Sequence, residues 1–130
     1  MKNIVKIFSL VLVGIIVYPI IIGFSFPTEK LPKSFSVTAI SDKKEVELCV
    51  ISEKNSQYQK FTELILKNET GWGVDFNSYM PSLRLYSNNM NVVMIDGLWV
   101  VNYESEYFGW VQLSKEVDSD MSKSNICINT

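Results

Sequence analysis

Apolar positions fall along this chain in three regimes. Residues 7–26 run for twenty positions without a charged side chain. That is about the length an α-helix needs to cross a bilayer core. From residue 35 the pattern changes to alternation. Phe35, Val37 and Ala39 are interleaved with Ser36 and Thr38, and Val46, Leu48 and Val50 with Glu47 and Cys49. With the turn-forming Ser-Asp-Lys-Lys between them, residues 35–40 and 46–52 are expected to form a hairpin with one apolar face and Cys49 on the other. Tyr58, Phe61, Leu64 and Ile65 then follow a 3.6-residue period, which predicts a helix over 53–68. A capping box at Ser56 and Gln59 would begin it, or a cap at Ser52. The run from Asn68 to Gly71 would end it.

The second half reads as strands. Trp72, Val74, Phe76 and Met80 alternate with smaller or polar residues up to Pro81, where a strand must end or lie at a sheet edge. A short strand follows at 83–86, then a loop at Asn88 and Asn89. The strongest local signal is Asp96-Gly97 between Val92-Val93-Met94-Ile95 and Leu98-Trp99-Val100-Val101. A two-residue type I′ turn needs positive φ at both positions, which Asp-Gly supplies. It would pair Ile95 with Leu98, Met94 with Trp99 and Val93 with Val100. Both faces of that hairpin are apolar, so it must be covered on both sides or leave one face open to a partner. A last strand is expected at 107–113. The sum is an α+β domain, ββα followed by four or five mainly antiparallel strands, with the helix packed on the sheet.

The N-terminal segment divides the chain into residues 1–26, a short proline-bearing linker at 27–34, and a single domain at 35–130. Lys2 and Lys6 precede the apolar run as a positive n-region does. Gly23 and Ser25 form a small-x-small pair that would place a signal-peptide cut before Phe26. The run exceeds the usual 7–15-residue apolar core of a signal peptide, which favours a retained anchor. Either way, the C-terminal domain is expected to be exported, with the membrane contacted through residues 7–26. Cys49 and Cys127 are the only cysteines. In an exported chain they should pair, closing a loop of about 80 residues that entropy models credit with roughly 4 kcal/mol.

Composition then narrows the chemistry. Residues 27–130 hold ten of the twelve basic residues and all fourteen acidic ones, a net charge of −4. Such a domain lacks the basic footprint of a nucleic-acid binder. There is no histidine, no phosphate-binding glycine loop and no Cys-x-x-Cys. Ser-His and Cys-His nucleophile pairs are thereby excluded, and most transition-metal sites with them. No cofactor is implied. Arg84 is the only arginine. The carboxylates near strand ends, Asp75, Asp96, Glu104 and Glu106, are the remaining route to a hydrolase. Asp96 is better explained as a turn residue, and the two glutamates as a solvated connection. Asp118 and Asp120 lack the glycine and terminal glutamate of a calcium loop.

One feature points to function. Trp72, Trp99, Tyr103, Tyr107, Phe108 and Trp110 fall within forty residues of one another. Trp and Tyr concentrate at binding hot spots, although in a small β-rich domain they also build cores. Phe108 and Trp110 are expected on one strand face, with Gly109 leaving room for a neighbour. The richness in Asn, Ile, Lys and Ser is of the kind that AT-rich bacterial genomes encode. The expectation is a non-enzymatic bacterial envelope protein, on the periplasmic or outer side, that binds a protein partner as immunity proteins and inhibitors do. The alternative is an accessory structural subunit of a secretion, conjugation or pilus machine. A carboxylate-dependent hydrolase is the remote alternative.

Overall fold

The computed structural model describes residues 12, 23–41, 43–121 and 125–128. Among the described residues seven strands form in the order of the chain: β1 (Ser34–Ser41), β2 (Lys44–Ser52), β3 (Gly73–Val74), β4 (Leu83–Tyr86), β5 (Met90–Ile95), β6 (Leu98–Ser105) and β7 (Gly109–Glu116). One α-helix, α1 (Ser56–Lys67), lies between β2 and β3. The strands make one sheet in the order β2-β1-β4-β5-β6-β7-β3, and every pairing is antiparallel. This is a sheet-rich α+β fold with one helix packed on an antiparallel sheet. The N-terminal apolar segment expected at 7–26 lies largely outside the described residues. Among those described, no helix is long and apolar enough to cross a membrane.

The core sits between α1 and the inner face of the sheet. Phe61, at the centre of the helix, stacks on Trp99 at 5.8 Å and meets Phe35 edge-on at 5.4 Å. Tyr58 and Ile65 flank it on the same helical stripe and are also buried. The Tyr58 hydroxyl donates to the Pro32 carbonyl (2.6 Å). Its pKa is raised, by burial first and by Glu53 second. The helix begins three residues later than its periodicity suggests, and neither Ser52 nor Ser56 caps it. Asn55 is the N-cap, and its side-chain oxygen turns back to accept Ser52 N–H (2.8 Å) and Oγ–H (3.0 Å). That local turn leads the chain off β2, so residues 53–55 are not available to the helix.

Strand β2 departs from the pattern read from its sequence. Val46, Leu48 and Val50 are exposed, whereas Ile51 is buried and Cys49 packs against the core. The register explains this at Cys49 and at Val50, which pairs with Ser36; Val46, beyond the bulge, pairs with the buried Ala39 and is exposed all the same. Phe35 pairs with Ile51 and Val37 with Cys49, and a bulge then leaves Leu48 without a cross-strand partner. A bulge of this kind shifts the side-chain alternation of one strand against its neighbour. Cys49 therefore faces inward, where it bonds Cys127 with a Cα–Cα distance of 5.8 Å. The bridge holds the C-terminal turn at 125–128 on the core, where Ile126 is buried. A disulfide is a feature of oxidising, extracytoplasmic compartments.

The β5–β6 hairpin has the register its turn predicts: Ile95 opposite Leu98, Met94 opposite Trp99, Val93 opposite Val100. Asp96 (φ 43°) and Gly97 (φ 87°) both take positive φ. Both faces are buried, and the topology shows how. β3 lies at one edge of the sheet and β4 in its interior, so the connection at 75–82 must cross the outer face. Gln112 donates through Nε2 to the Asn77 carbonyl (2.8 Å), and Ser82 Oγ donates to the Met94 carbonyl (3.1 Å). Val93 and Val100 lie on this crossed face and are buried.

The same crossing replaces the strand expected at 72–80. Only Gly73–Val74 pairs with β7. At Asp75 the carboxylate captures the Asn77 N–H (2.8 Å), and the ladder ends in an Asx turn. The last strand is also displaced. It spans 109–116 rather than 107–113, because Tyr107 and Phe108 belong to the β6–β7 turn that Gly109 (φ 69°) completes. An added Cβ on Gly109 would meet nothing within 4 Å, so the glycine serves the turn and not a close neighbour.

Candidate binding groove

Two strands border solvent at opposite ends of the sheet, and they differ in how open they are. β2 carries Lys44, Glu45 and Glu47 together with its bulge, devices that keep an edge strand from pairing with another chain. Glu45 is further engaged by Thr38 Oγ1 (2.6 Å) and Arg84 (2.9 Å). The opposite edge has no such protection. β3 pairs only with Leu113 and Ser114 of β7, and Asp75 N–H adds one bond to the Gln112 carbonyl (3.1 Å). Beyond that point the chain turns over the outer face. Gly109, Trp110 and Val111 therefore have no strand beside them on this side among the described residues.

The space left by the missing continuation of β3 is a groove of about 600 Å³. Its walls are Phe24, Val74, Phe76, Phe108, Trp110 and Val111, with Asp75, Asn77, Ser78 and Gln112 completing the lining. The aromatic side chains are open to solvent: Phe76 is 93% exposed, Phe108 83%, Trp110 59% and Phe24 44%. Exposed apolar groups contiguous on this scale mark interaction sites on soluble domains more often than isolated ones do.

Asp75 is the only ionisable group in the lining, and it is fully engaged. The Asn77 backbone N–H chiefly, then the Tyr79 hydroxyl (2.7 Å), lower its pKa to about 2. Ser114 and the Asn77 side chain add to this. The same bond raises the pKa of Tyr79. Asp75 thus acts as a clamp that bends the chain out of the ladder. It presents no free carboxylate to the groove.

The six aromatics singled out from the sequence separate into three groups. Trp72 and Trp99 are fully buried in the core. Trp72 donates its indole N–H to the Asn68 carbonyl (2.7 Å) at the end of α1, which satisfies its polar atom inside the fold. Tyr103 is half-buried opposite Met90, and its pKa is raised by burial and, secondarily, by Glu29. Tyr107, Phe108 and Trp110 are exposed, and the last two line the groove. Sequence reasoning did not find Phe24, Val74 or Phe76 as partners of Trp110. Phe24 sits inside the uncharged run of the N-terminal segment, and Phe76 had the position of a strand residue. The spacing of Asp75 and Asn77, an Asx-turn signal, was the one local hint that the strand would break there.

The remaining acidic residues are scattered. Asp96 occupies the β5–β6 turn, and Glu106 pairs with Lys30 at 3.6 Å. Among the described residues no cluster of His, Cys, Asp or Glu could hold a metal ion. No family model matches the chain, and no curated protein or solved structure matches it significantly.

Proposed function

We propose that this is a protein-binding module of the bacterial cell envelope, of the immunity or inhibitor kind, working without catalysis. The N-terminal apolar run ties it to the inner membrane, with the folded domain in the periplasm or outside the cell. Its partner lays an extended, uncharged segment into the aromatic groove, as an added strand beside β7. The observation that supports this reading is the break in β3, which leaves an unguarded sheet edge lined with solvent-exposed phenylalanine and tryptophan. Strand addition draws affinity from main-chain hydrogen bonds and specificity from side-chain pockets, and both elements are present here.

A photo-crosslinking residue at position 108, compared with one at the exposed Leu66 on α1, tests it in envelope preparations. A discrete adduct from position 108 alone is expected. Trp110→Ala should lower its yield about tenfold, as loss of 1.4 kcal/mol would. Identical adducts from both positions, or none, would sink the reading.

One observation favours a second reading, an accessory subunit of an envelope machine. Phe24 lies near the end of the apolar segment and is also a wall of the groove, so a partner in the same membrane would meet the groove at close range. Co-migration of the full-length protein with a large membrane complex would favour this version. Recovery as a one-to-one complex with a soluble protein would favour the inhibitor.

A further inference from the structure

The last residues of the apolar segment carry an inference that holds whatever fills the groove. Gly23 and Ser25 are the only small-x-small pair between residues 7 and 26, so they mark the one place where the sequence invites a signal-peptidase cut. The structure ties this stretch to the folded domain through Gly23, Phe24 and Phe26, with Ser25 exposed between them. Phe24 pairs with Trp72 through two backbone hydrogen bonds: Phe24 N–H to the Trp72 carbonyl (2.7 Å), and Trp72 N–H to the Phe24 carbonyl (3.0 Å). Gly23 takes φ 76°, and a Cβ there would stand 2.8 Å from the Gly71 backbone, so this position accepts glycine alone. Phe26 is 2% exposed and packs edge-on against Trp72 at 5.2 Å. Its N–H donates to the Glu69 carbonyl (2.7 Å).

A cut before Phe26 would undo this arrangement in three ways. It would delete the partner of Trp72 at the sheet edge. It would remove the Phe24 wall of the groove. It would also turn the nitrogen of a buried residue into a charged ammonium, which is costly away from water.

The downstream stretch adds no slack. Residues 27–34, the linker of the sequence reading, are held on the domain. Tyr58 bonds the Pro32 carbonyl, Asn89 Nδ2 bonds the Lys30 carbonyl (3.1 Å), and Leu31 packs against the core.

We infer that the chain is not cut between Ser25 and Phe26, and that the apolar segment stays joined to the domain as its anchor, with Gly23–Phe26 acting as the first structural element of the fold. The domain then begins within the apolar run itself, and residues 23–34 give no free spacer.

The test is the intact mass of the native full-length protein recovered from membranes, together with thermal unfolding of Gly23→Val in the same full chain. The expected mass is one that keeps residues 1–25 joined to the domain. Loss of residues 1–25, or any shorter truncation that removes the apolar run, overturns the inference. Gly23→Val should melt at least about 5 °C below the wild type, followed by tryptophan fluorescence, the scale of shift that roughly 1 kcal/mol produces in a domain of this size. An unchanged melting point with an unchanged tryptophan spectrum would show that residues 23–26 are not part of the folded edge, and would equally overturn it.

Discussion

Single side chains decide where this fold is rigid and where it is open. Trp99 and Trp110 have the same chemistry but opposite placements: one is stacked on Phe61 in the core, the other is more than half exposed beside the free edge of β7. Trp99→Ala should therefore cost about 3–5 kcal/mol in denaturant unfolding, because it opens a large cavity. Trp110→Ala should stay within about 0.5 kcal/mol of wild type while weakening partner capture. Asp75 gives a pH signature. Its folded pKa is lowered to about 2 by the Asn77 N–H and the Tyr79 hydroxyl. A carboxyl with a depressed folded pKa stabilises the protein above its unfolded value and loses that contribution as pH falls through the folded one. The wild type should lose melting temperature between about pH 4 and pH 2, and Asp75→Asn should lose less over the same window. Equal losses in the two proteins would remove Asp75 as the clamp.

At the scale of elements, turns set the architecture. The Asp96-Gly97 turn fixes the register of β5 and β6 and places Trp99 beneath Phe61. A residue other than glycine in a left-handed conformation costs about 1–2 kcal/mol. Gly97→Val should lower stability by about that much and leave the fold intact, as read by calorimetry and circular dichroism. The Asx turn at Asp75 has the opposite consequence. It stops β3 after two residues and sends the chain across the outer face, and this one break both covers Val93 and Val100 and opens the groove. A covered outer face and an uncovered edge thus share a cause.

At the scale of the whole molecule, the Cys49–Cys127 bridge ties the C-terminal turn to the strand at the far edge from the groove, across a sequence separation of 78. The loop-entropy account gives such a bridge roughly 4 kcal/mol. Reduction, or the Cys49→Ser, Cys127→Ser double variant, should lower the melting temperature substantially. The groove should survive in the folded fraction, since its walls all come from the other end of the sheet. If reduction leaves the melting temperature unchanged, the bridge is not holding the tail to the core.

Local chemistry by itself determined the elements whose information is short-range. The apolar stripe of α1 was legible because Tyr58, Phe61 and Ile65 repeat at the helical period. The β5–β6 register was legible because a two-residue turn admits only one pairing. The pairing of Cys49 with Cys127 followed from there being two cysteines in a chain expected outside the cytoplasm. What the tertiary structure decided depends on which strand lies beside which. The outward placement of Val50 comes from its register against Ser36 of β1 and that of Leu48 from the bulge, and no alternation within 46–50 could reveal that. The division of the aromatics into a core pair and an exposed set comes from the sheet order, which buries Trp72 and Trp99 beneath α1 and leaves Phe108 and Trp110 beyond the end of β3. The groove joins Phe24, Phe76 and Trp110 from three distant stretches of chain. Such a site exists only once long-range strand pairing has brought them together, so its residues carry no shared local signal.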